Sequence, residues 1–170
     1  IGANSTYLNL NGTGIIIDAG LHPRNRDHRA FPDVELLDGK PTDALLVSHA
    51  HTDHLGGVPF VARRFPHLQT IMTRATRDLS HIMLHNSSRL LRSDVALHFS
   101  AEQLEFFEKV QVEMLRQSFE AVDYDEPFTL RGYDSLSDVT TTFHWAGHLL
   151  GSASIAMEVE GKRILHTADI

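Results

Sequence analysis

The sequence predicts an α/β sandwich, in which β-sheets are covered by helices. Strand-like apolar runs stand near both ends of the 170-residue chain, and helical patterns lie between them. Hydrophobic residues make up 42% of the chain and charged residues 22%, which is the balance of an ordinary globular domain with one core. Since elements of this kind pack as sheets with helices on their faces, we expect one α/β domain.

The predicted elements run along the chain as strands first, helices next and strands again. The pair Asn11-Gly12 predicts a tight hairpin turn, because both residues readily adopt positive φ angles. Pro66 ends a helix, and Ser100 with Gln103 resembles a capping box that begins another. The expected elements are a hairpin over 7–18, a loop over 21–41, a buried strand over 43–47, a helix over 55–65, a strand over 70–73, helices over 74–91 and 100–119, and strands over 128–130, 139–144, 154–159 and 163–167.

The predicted helix over 100–119 carries an apolar stripe at helical spacing. Its members are Leu104, Phe107, Val110 and Met114. Such a stripe is typical of a helix face that packs on the core, so we expect these side chains to be buried.

The composition excludes several classes of protein. The formal net charge of −7 argues against a uniformly cationic nucleic-acid binder, although residues 60–92 hold six arginines against one aspartate and can form a local basic face. There is no cysteine, which excludes disulfides and thiolate sites and fits a reducing compartment, so we expect a cytoplasmic protein. No apolar run approaches the ~18 residues of a membrane helix, and no membrane partner is expected.

Four metal-competent side chains stand within six residues, directly after the predicted strand over 43–47. They are His49, His51, Asp53 and His54. Neutral imidazoles and carboxylates are ligands that zinc and related divalent metals prefer. His49 and His51 share a face of an extended segment and can bind one ion together, whereas Asp53 and His54 can point to a second ion. A chance histidine-rich polar turn is the alternative.

Two further candidate ligands stand at strand ends in the second half of the chain. His148 follows a predicted strand, and Gly147 and Gly151 beside it permit sharp turns and close backbone approach. Asp169 follows the last predicted strand. Each of the two, taken alone, is interpreted as structural. A centre with two metals needs more ligands than one loop provides, which makes both of them candidates.

The run His49–His54 matches the H-x-H-x-D-H signature, and in this the chain resembles the metallo-β-lactamase superfamily. Asp18, His148 and Asp169 stand in the order of that superfamily's other motifs. Three segments resemble in particular its β-CASP branch, which includes RNA 3′-end-processing endonucleases and, more distantly, ribonuclease J. These segments are 18–23, 146–152 and 165–169. The resemblance implies the αββα sandwich of the superfamily, with residues 1–170 as the N-terminal part of that domain.

By this resemblance the chain binds two zinc ions. One ion would be held by His49, His51 and His148, and the other by Asp53, His54 and Asp169, with Asp169 bridging the two. A metal-bridged hydroxide would then attack the phosphorus of a phosphodiester. Asp53 is also the catalytic candidate, because it could orient that hydroxide or take its proton.

Asp18 is a candidate to orient one of the ligands. A carboxylate that accepts an imidazole N–H fixes the tautomer and the direction of the ring. The alternative is a turn residue that closes the predicted hairpin, since aspartate is common in turns.

The chain departs from the family's pattern in two respects. Ala168 stands where the family usually has glycine, for which we expect a small backbone adjustment and no loss of the ligand Asp169. Family members also continue into a β-CASP insertion and a second half-domain, which supply a further histidine ligand and a histidine that protonates the leaving group. Those parts are absent from this chain, which runs from Ile1 to Ile170, so we expect a fragment with an incomplete site.

The resemblance implies a zinc-dependent hydrolase and, in particular, a nuclease that processes RNA. RNA is the expected partner, with single-stranded DNA as the second option, in a homo-oligomer or a processing complex. A thioester or lactone hydrolase on the same metal core stays open, because a fold does not fix a substrate. A non-catalytic scaffold paralogue also stays open, although a scaffold has no need to retain all six ligand positions.

His81 and His85 are four residues apart on the predicted helix over 74–91. This spacing places two imidazoles on one face, where they can bind zinc. The sequence shows no third ligand for them, so a solvated or packed helix face is favoured.

Overall fold

The computed structural model describes residues 2–25, 27–92, 105 and 108–170. In chain order these residues form β1 (Thr6–Leu10), β2 (Thr13–Ile17), β3 (Ala44–Val47), α1 (Thr52–Leu55), α2 (Val58–Arg64), β4 (Gln69–Thr73), α3 (Arg74–Arg92), α4 (Lys109–Gln117), β5 (Glu120–Val122), β6 (Phe128–Leu130), β7 (Val139–Trp145), β8 (Ala153–Val159) and β9 (Lys162–His166). Two short 3₁₀ helices, His28–Ala30 and Val34–Leu37, lie in the loop between β2 and β3. No helix in these described ranges is long and apolar enough to cross a membrane.

The strands form two sheets. The first has the order β1-β2-β3-β4-β5, in which β1 is antiparallel to β2 and the pairs from β2 to β5 are parallel. The second is the antiparallel sheet β6-β7-β8-β9. Because parallel strands end at the same edge of a sheet, the chain leaves β2 and β3 side by side, and this edge carries the first ligand candidates.

Two hydrophobic cores lie on opposite faces of the first sheet. Neighbouring strand residues point to opposite faces, and accordingly Leu45 packs with the helices whereas Leu46 packs against the second sheet. Leu55, Val58, Leu84 and Val112 bring α1 to α4 onto the helix side; Ile15, Ile17, Phe143 and Ile155 fill the space between the sheets. The layers are therefore helices, first sheet and second sheet. The outer face of the second sheet is exposed at Thr140, Glu158 and Leu165.

Most of the predicted strands are confirmed. The hairpin turn is formed by Asn11 and Gly12, with φ angles of 50° and 92°, as expected for this pair. The four strands of the second half agree with β6 to β9 to within one residue at each end. The edge strand β5, which pairs in parallel with β4, was not predicted, since three residues are too short for a periodic pattern.

The predicted helix over 55–65 is wrong in its extent. The helical segment begins at Thr52 and is divided into α1 and α2 at Gly56 and Gly57. The division allows the Gly57 N–H to donate to the carbonyl of Ala19 at 2.7 Å. A Cβ on Gly57 would lie 2.8 Å from the carbonyl oxygen of Gly20, so the close approach of these two segments requires glycine.

The apolar stripe of the predicted helix over 100–119 is corrected in part. Met114 is 62% exposed and does not lie in the core, whereas Val112 is fully buried. The described helix is α4, which begins at Lys109. The capping box, the stripe residues Leu104 and Phe107, and the side chain of Val110 lie outside the described part of the structure.

Candidate metal centre

Four strand ends bring the predicted site residues to one place. Asp18 follows β2, the segment His49–His54 follows β3, His148 follows β7, and Asp169 follows β9. The first two segments leave the first sheet and the last two leave the second. The two sheets meet here through the hydrogen bond from Ala153 N–H to the carbonyl of Ser48, at 2.9 Å.

Three imidazole nitrogens face one another at this meeting point. His49 Nε2 lies 3.1 Å from His51 Nδ1, which lies 3.2 Å from His148 Nε2. A tetrahedral zinc ion with bonds of 2.0–2.1 Å holds its nitrogen ligands about 3.3 Å apart. The spacing and the chemistry of these donors therefore fit a zinc ion.

Asp169 lies between two of the histidines. Its Oδ2 is 3.7 Å from His148 Nε2, and its Oδ1 is 3.6 Å from His54 Nε2. One potential ligand atom from each of His49, His51, His148 and Asp169 lies within 4.8 Å of all the others. The carboxylate thus has one oxygen toward the three-nitrogen cluster and the other toward His54.

His54 is held from behind by Asp18. Both side chains are buried, and His54 Nδ1 donates to Asp18 Oδ2 at 2.7 Å. This bond leaves the Nε2 lone pair on the side of Asp169. His54 Nε2 is also 2.9 Å from Asn4 Nδ2, which can donate to that lone pair. Asp18 therefore fixes both the tautomer and the direction of the His54 ring.

Ser48, which the sequence analysis missed, completes the buried network. Its backbone N–H donates to Asp18 Oδ1 and its hydroxyl donates to Asp18 Oδ2, both at 2.7 Å. With that hydrogen used, the Ser48 oxygen accepts from His49 Nδ1 at 3.0 Å. His49 then carries its proton on Nδ1, and its Nε2 lone pair faces the cluster. The available signal was its position at the end of β3, directly before His49.

Asp53 stands apart from the four clustered donors. Its carboxylate is not within the group of His49, His51, His148 and Asp169 among the residues that the structure describes. The side chain is half-buried in the first turn of α1, and its charge raises the pKa of His54. Its backbone carbonyl accepts from Asn4 N–H at 2.8 Å, which fixes the beginning of α1 beside the N-terminal segment.

The His148 loop is held by Ser152 and Gly151. The buried Ser152 hydroxyl accepts from the backbone N–H groups of His148 and Leu149, each at 3.1 Å. The carbonyl of Gly151 accepts from the hydroxyls of Thr73 and Thr76 at 2.8 and 2.9 Å. These bonds attach the loop to the end of β4 and the first turn of α3.

The backbone before Asp169 keeps the conformation of a glycine. Ala168 has a φ of 53°, in the left-handed region that L-residues rarely adopt. The methyl group is thus accommodated by strain at this residue, and the Asp169 carboxylate still faces His54 and His148.

The electrostatics of the cluster favour neutral imidazole at His49. Burial is the main cause that lowers the pKa of His49 to about 3, and the nearby imidazoles of His54 and His51 contribute to the same shift. Burial also lowers the pKa of His54, but the hydrogen bond to Asp18 and the charges of Asp18, Asp53 and Asp169 outweigh it and raise the pKa. A neutral His49 is the form that binds a metal.

The fold is a sandwich of two sheets in which histidine and aspartate side chains gather at adjoining strand ends, in an arrangement that could hold a metal ion. The chain belongs to the metallo-beta-lactamase superfamily, whose sequence profile matches residues 1–170. The family resemblance drawn from the motifs is confirmed.

Curated relatives are RNA-processing proteins. The chain is 29% identical over 170 residues to "Cleavage and polyadenylation specificity factor 73" of Drosophila melanogaster, covering 99% of this chain and 23% of the relative. It is also 29% identical to an "RNase J-like protein" of Methanocaldococcus jannaschii, covering 100% of the chain and 34% of the relative. With "Endoribonuclease YSH1" of Saccharomyces cerevisiae the identity is 28%, over 99% of the chain and 21% of the relative. The chain thus spans between about a fifth and a third of these relatives.

Solved structures with the same fold include metallo-β-lactamases. A subclass B3 enzyme of Bradyrhizobium japonicum matches with a TM-score of 0.56 and 20% identity, covering 96% of this chain and 54% of that structure. An enzyme of Cronobacter sakazakii with a HARLDQ motif matches with a TM-score of 0.57 and 22% identity, covering 96% and 57%. At this identity the matches show the fold alone, and the predicted metallo-β-lactamase sandwich is confirmed.

Proposed function

We propose that this chain is the metal-binding part of a zinc-dependent nuclease that hydrolyses phosphodiester bonds in RNA. The observation that carries the proposal is the convergence of His49 Nε2, His51 Nδ1 and His148 Nε2 at 3.1 and 3.2 Å, with Asp169 beside them. Three imidazole donors favour a borderline divalent cation such as zinc over calcium or magnesium, which take oxygen ligands.

We assign the proposed ligands to two ions. His49, His51 and His148 hold the first, Asp53, His54 and Asp169 hold the second, and Asp169 reaches both. The two oxygens of Asp169, one toward His148 and one toward His54, support its bridging position. The support is weaker for the second ion, because Asp53 and His54 both stand outside the four clustered donors.

When bound, zinc supplies Lewis-acid chemistry, since it makes hydroxide available near neutral pH and offsets charge on phosphoryl oxygens. The residues of the chain direct that chemistry. Ser48 and Asp18 keep the protons of His49 and His54 on Nδ1, so both Nε2 lone pairs face the site. Asp53 is also the proposed proton acceptor of the reaction, because it carries a carboxylate close enough to His54 to raise the pKa of that imidazole.

The choice of RNA rests on the relatives, whose names describe endoribonuclease and polyadenylation factors. The arginines of 60–92 give it little support, because three of them are ion-paired. Arg64 pairs with Asp38, Arg74 with Asp123 and Arg77 with Asp78. A role in a processing complex and a cytoplasmic location belong to the same proposal.

Cleavage of end-labelled RNA by the complete gene product tests the proposal. We expect Asp53→Ala and His148→Ala each to lower the cleavage rate by at least about 10²-fold, as for loss of a proton acceptor or of a ligand. Asp134→Ala, which removes an exposed carboxylate beside the turn between β1 and β2, at the opposite end of β2 from Asp18, is the matched control.

Four outcomes contradict parts of the proposal, two from this assay and two from the same protein offered other substrates. Unchanged cleavage by Asp53→Ala removes its catalytic assignment, and unchanged cleavage by His148→Ala removes the metal mechanism. Hydrolysis of a thioester or lactone without cleavage of RNA or single-stranded DNA identifies the small-molecule alternative. No hydrolysis of any of these by the zinc-loaded protein identifies the scaffold alternative.

A further inference from the structure

A second cluster of metal-competent side chains lies between α3 and α4. His81 and His85 belong to α3, and Glu113 belongs to α4. His81 Nδ1 is 2.9 Å and His85 Nε2 is 2.8 Å from the same oxygen, Glu113 Oε1. The two imidazole rings are 4.7 Å apart and nearly perpendicular, at 86°. The helix packing therefore supplies the third ligand that the sequence did not show.

The backbone under this cluster is fixed by the core. Leu84 precedes His85 and Val112 precedes Glu113. Both apolar side chains are fully buried in the hydrophobic core on the helix side of the first sheet. The donors thus stand at the rim of a packed helix pair, partly exposed to solvent. Such a rim can hold its ligands in place and leave a coordination position to water.

One atom of the cluster lacks a satisfactory partner. His81 Nδ1 is shielded from solvent and, within the described ranges of the chain, makes no hydrogen bond of acceptable geometry. Its approach to Glu113 Oε1 is close in distance alone. A shielded polar atom without a hydrogen bond is costly, and a bound cation would satisfy it.

We propose that His81, His85 and Glu113 form a second zinc site, separate from the candidate metal centre, that joins α3 to α4. Two imidazoles and one carboxylate are a donor set that zinc accepts, with water as the fourth ligand. Tetrahedral zinc needs donor atoms about 3.3 Å apart, so the cluster opens by about half an ångström, which partly exposed side chains allow.

Glu113 is suited to bind through one oxygen. Its Oε2 faces Arg116 Nε at 3.7 Å, which leaves Oε1 toward the two histidines. The hydrogen bond from His85, with the charges of His81 and Arg116, lowers the pKa of Glu113 below its usual value. The carboxylate is therefore ionised near neutral pH, the form that coordinates a metal.

The role of this site is to hold the helix layer together. His85 and Glu113 are 28 residues apart in sequence, and a metal that joins them closes that length of chain in the folded state. The site lies on the helices, whereas the proposed hydrolytic residues lie at the strand ends. It therefore adds a structural ion to those of the candidate metal centre and does not depend on the proposed function.

Zinc stoichiometry of the chelator-stripped chain tests this proposal. The variants are His81→Ala/His85→Ala, which removes the proposed helix site, His49→Ala/His51→Ala, which removes the strand-end cluster, and His28→Ala, which removes an exposed histidine from neither. After reloading with zinc in excess magnesium, metal is counted by mass spectrometry. We expect the first variant to bind one zinc fewer than the wild type, the second to retain the zinc of the helix site, and the control to match the wild type.

Thermal unfolding distinguishes a zinc site from an ion pair that joins the two helices without a metal. We expect zinc to raise the melting temperature of His49→Ala/His51→Ala, and addition of Glu113→Gln to that variant to weaken zinc binding by at least about tenfold. Glu113→Gln keeps the size of a partly exposed side chain, so it tests the site even if the double alanine variant misfolds. Equal zinc content in wild type and His81→Ala/His85→Ala, or no zinc-dependent shift in folded His49→Ala/His51→Ala, overturns the proposal.

Discussion

One buried carboxylate organises two histidines from opposite ends of their motif. Asp18 is 1% exposed and accepts from Ser48 N–H, the Ser48 hydroxyl and His54 Nδ1. A buried carboxylate is tolerated only with such partners. Since Ser48 in turn accepts from His49, the proton positions of His49 and His54 both depend on Asp18.

We predict that Asp18→Asn weakens zinc binding. An amide has one acceptor oxygen, and its NH₂ group would face either Ser48 or the Nδ1–H of His54. Because two donors would then meet, the proton positions of His49 and His54 would be disturbed. Loss of such a partner lowers metal affinity by about 10–100-fold. Titration calorimetry with zinc measures this change.

Asp43→Asn is the control for Asp18→Asn. Asp43 accepts from the backbone N–H groups of Gly14 and Tyr133, away from the histidine cluster. Its variant should lose stability in urea without a change in zinc affinity. If both variants bind zinc as tightly as the wild type, Asp18 has no role in orienting the ligands.

We predict that Ala168→Gly stabilises the chain. The left-handed conformation costs an L-residue about 1–2 kcal/mol, while glycine costs ~0.4–1 kcal/mol through the unfolded state. The net gain in urea unfolding is therefore between about 0 and 1.6 kcal/mol. Ala156→Gly, in the middle of β8 without a positive φ, should instead lose up to about 1 kcal/mol. A loss of stability in both variants would show that Ala168 is unstrained.

The sequence was most informative about residues that carry their own chemistry. The spacing of His49, His51 and His54 after a buried strand is visible without a structure, and His148 and Asp169 follow from the order of motifs. Ser48 and Asn4 were missed, because a hydroxyl and an amide are common polar groups and position alone is a weak signal. Their roles come from contacts with Asp18 and His54, 30 and 50 residues away.

At the scale of elements, the loop that carries His148 depends on one close backbone contact. Gly151 has a φ of 91°, and a Cβ on it would lie 2.5 Å from Thr76 N. The contact brings the Gly151 carbonyl to the hydroxyls of Thr73 and Thr76. The position of His148 is therefore coupled to the junction of β4 and α3.

We predict that Gly151→Ala lowers both stability and zinc affinity. Gly161→Ala is the matched control, because Gly161 has a φ of 73° but nothing within 4 Å of its Cβ position. The control should lose about 1–2 kcal/mol from backbone strain alone. Gly151→Ala should lose a further ~1–3 kcal/mol from overpacking. Urea unfolding and zinc titration measure these effects, and equal losses in the two variants would contradict the proposed coupling.

Element boundaries were predictable where local chemistry decides them and not where tertiary contacts do. Asn11 and Gly12 determine the first hairpin turn by their own φ preferences. The division of the helix at Gly56 and Gly57 is set instead by its contact with Ala19 in the chain that leaves β2, and no local signal shows that partner. Met114 was misplaced because helical spacing does not show which stripe of an amphipathic helix meets the core.

At the scale of the whole molecule, the candidate centre exists only when both sheets are packed. The first sheet supplies Asp18 and His49, and the second supplies His148 and Asp169. The core between the sheets, with Ile15, Ile17 and Phe143, holds these edges together. Metal binding and folding are therefore linked, and the groups that gather at the centre also set how stability varies with pH.

We predict that the chelator-treated chain is most stable near pH 6.5, the ordinary pKa of histidine. His49 faces His51, His54, His148 and Asp169, and its pKa is lowered to about 3. Its contribution to the free energy of unfolding is therefore lost as the pH falls below 6.5. His54 faces Asp18, Asp53 and Asp169, and its raised pKa gives a contribution that is present below 6.5 and lost as the pH rises through the folded value.

Urea unfolding between about pH 4.5 and 8.5 measures both sides of this maximum. The window stays above the ordinary carboxyl pKa of Glu113, 4.5, so the lowered pKa of that group does not contribute. His49→Gln should flatten the acid side, and His54→Gln should flatten the alkaline side, because each removes one shifted group. A metal-free stability that rises steadily toward low pH, or that keeps both slopes in these variants, would show that the two histidines are not linked to folding in this way.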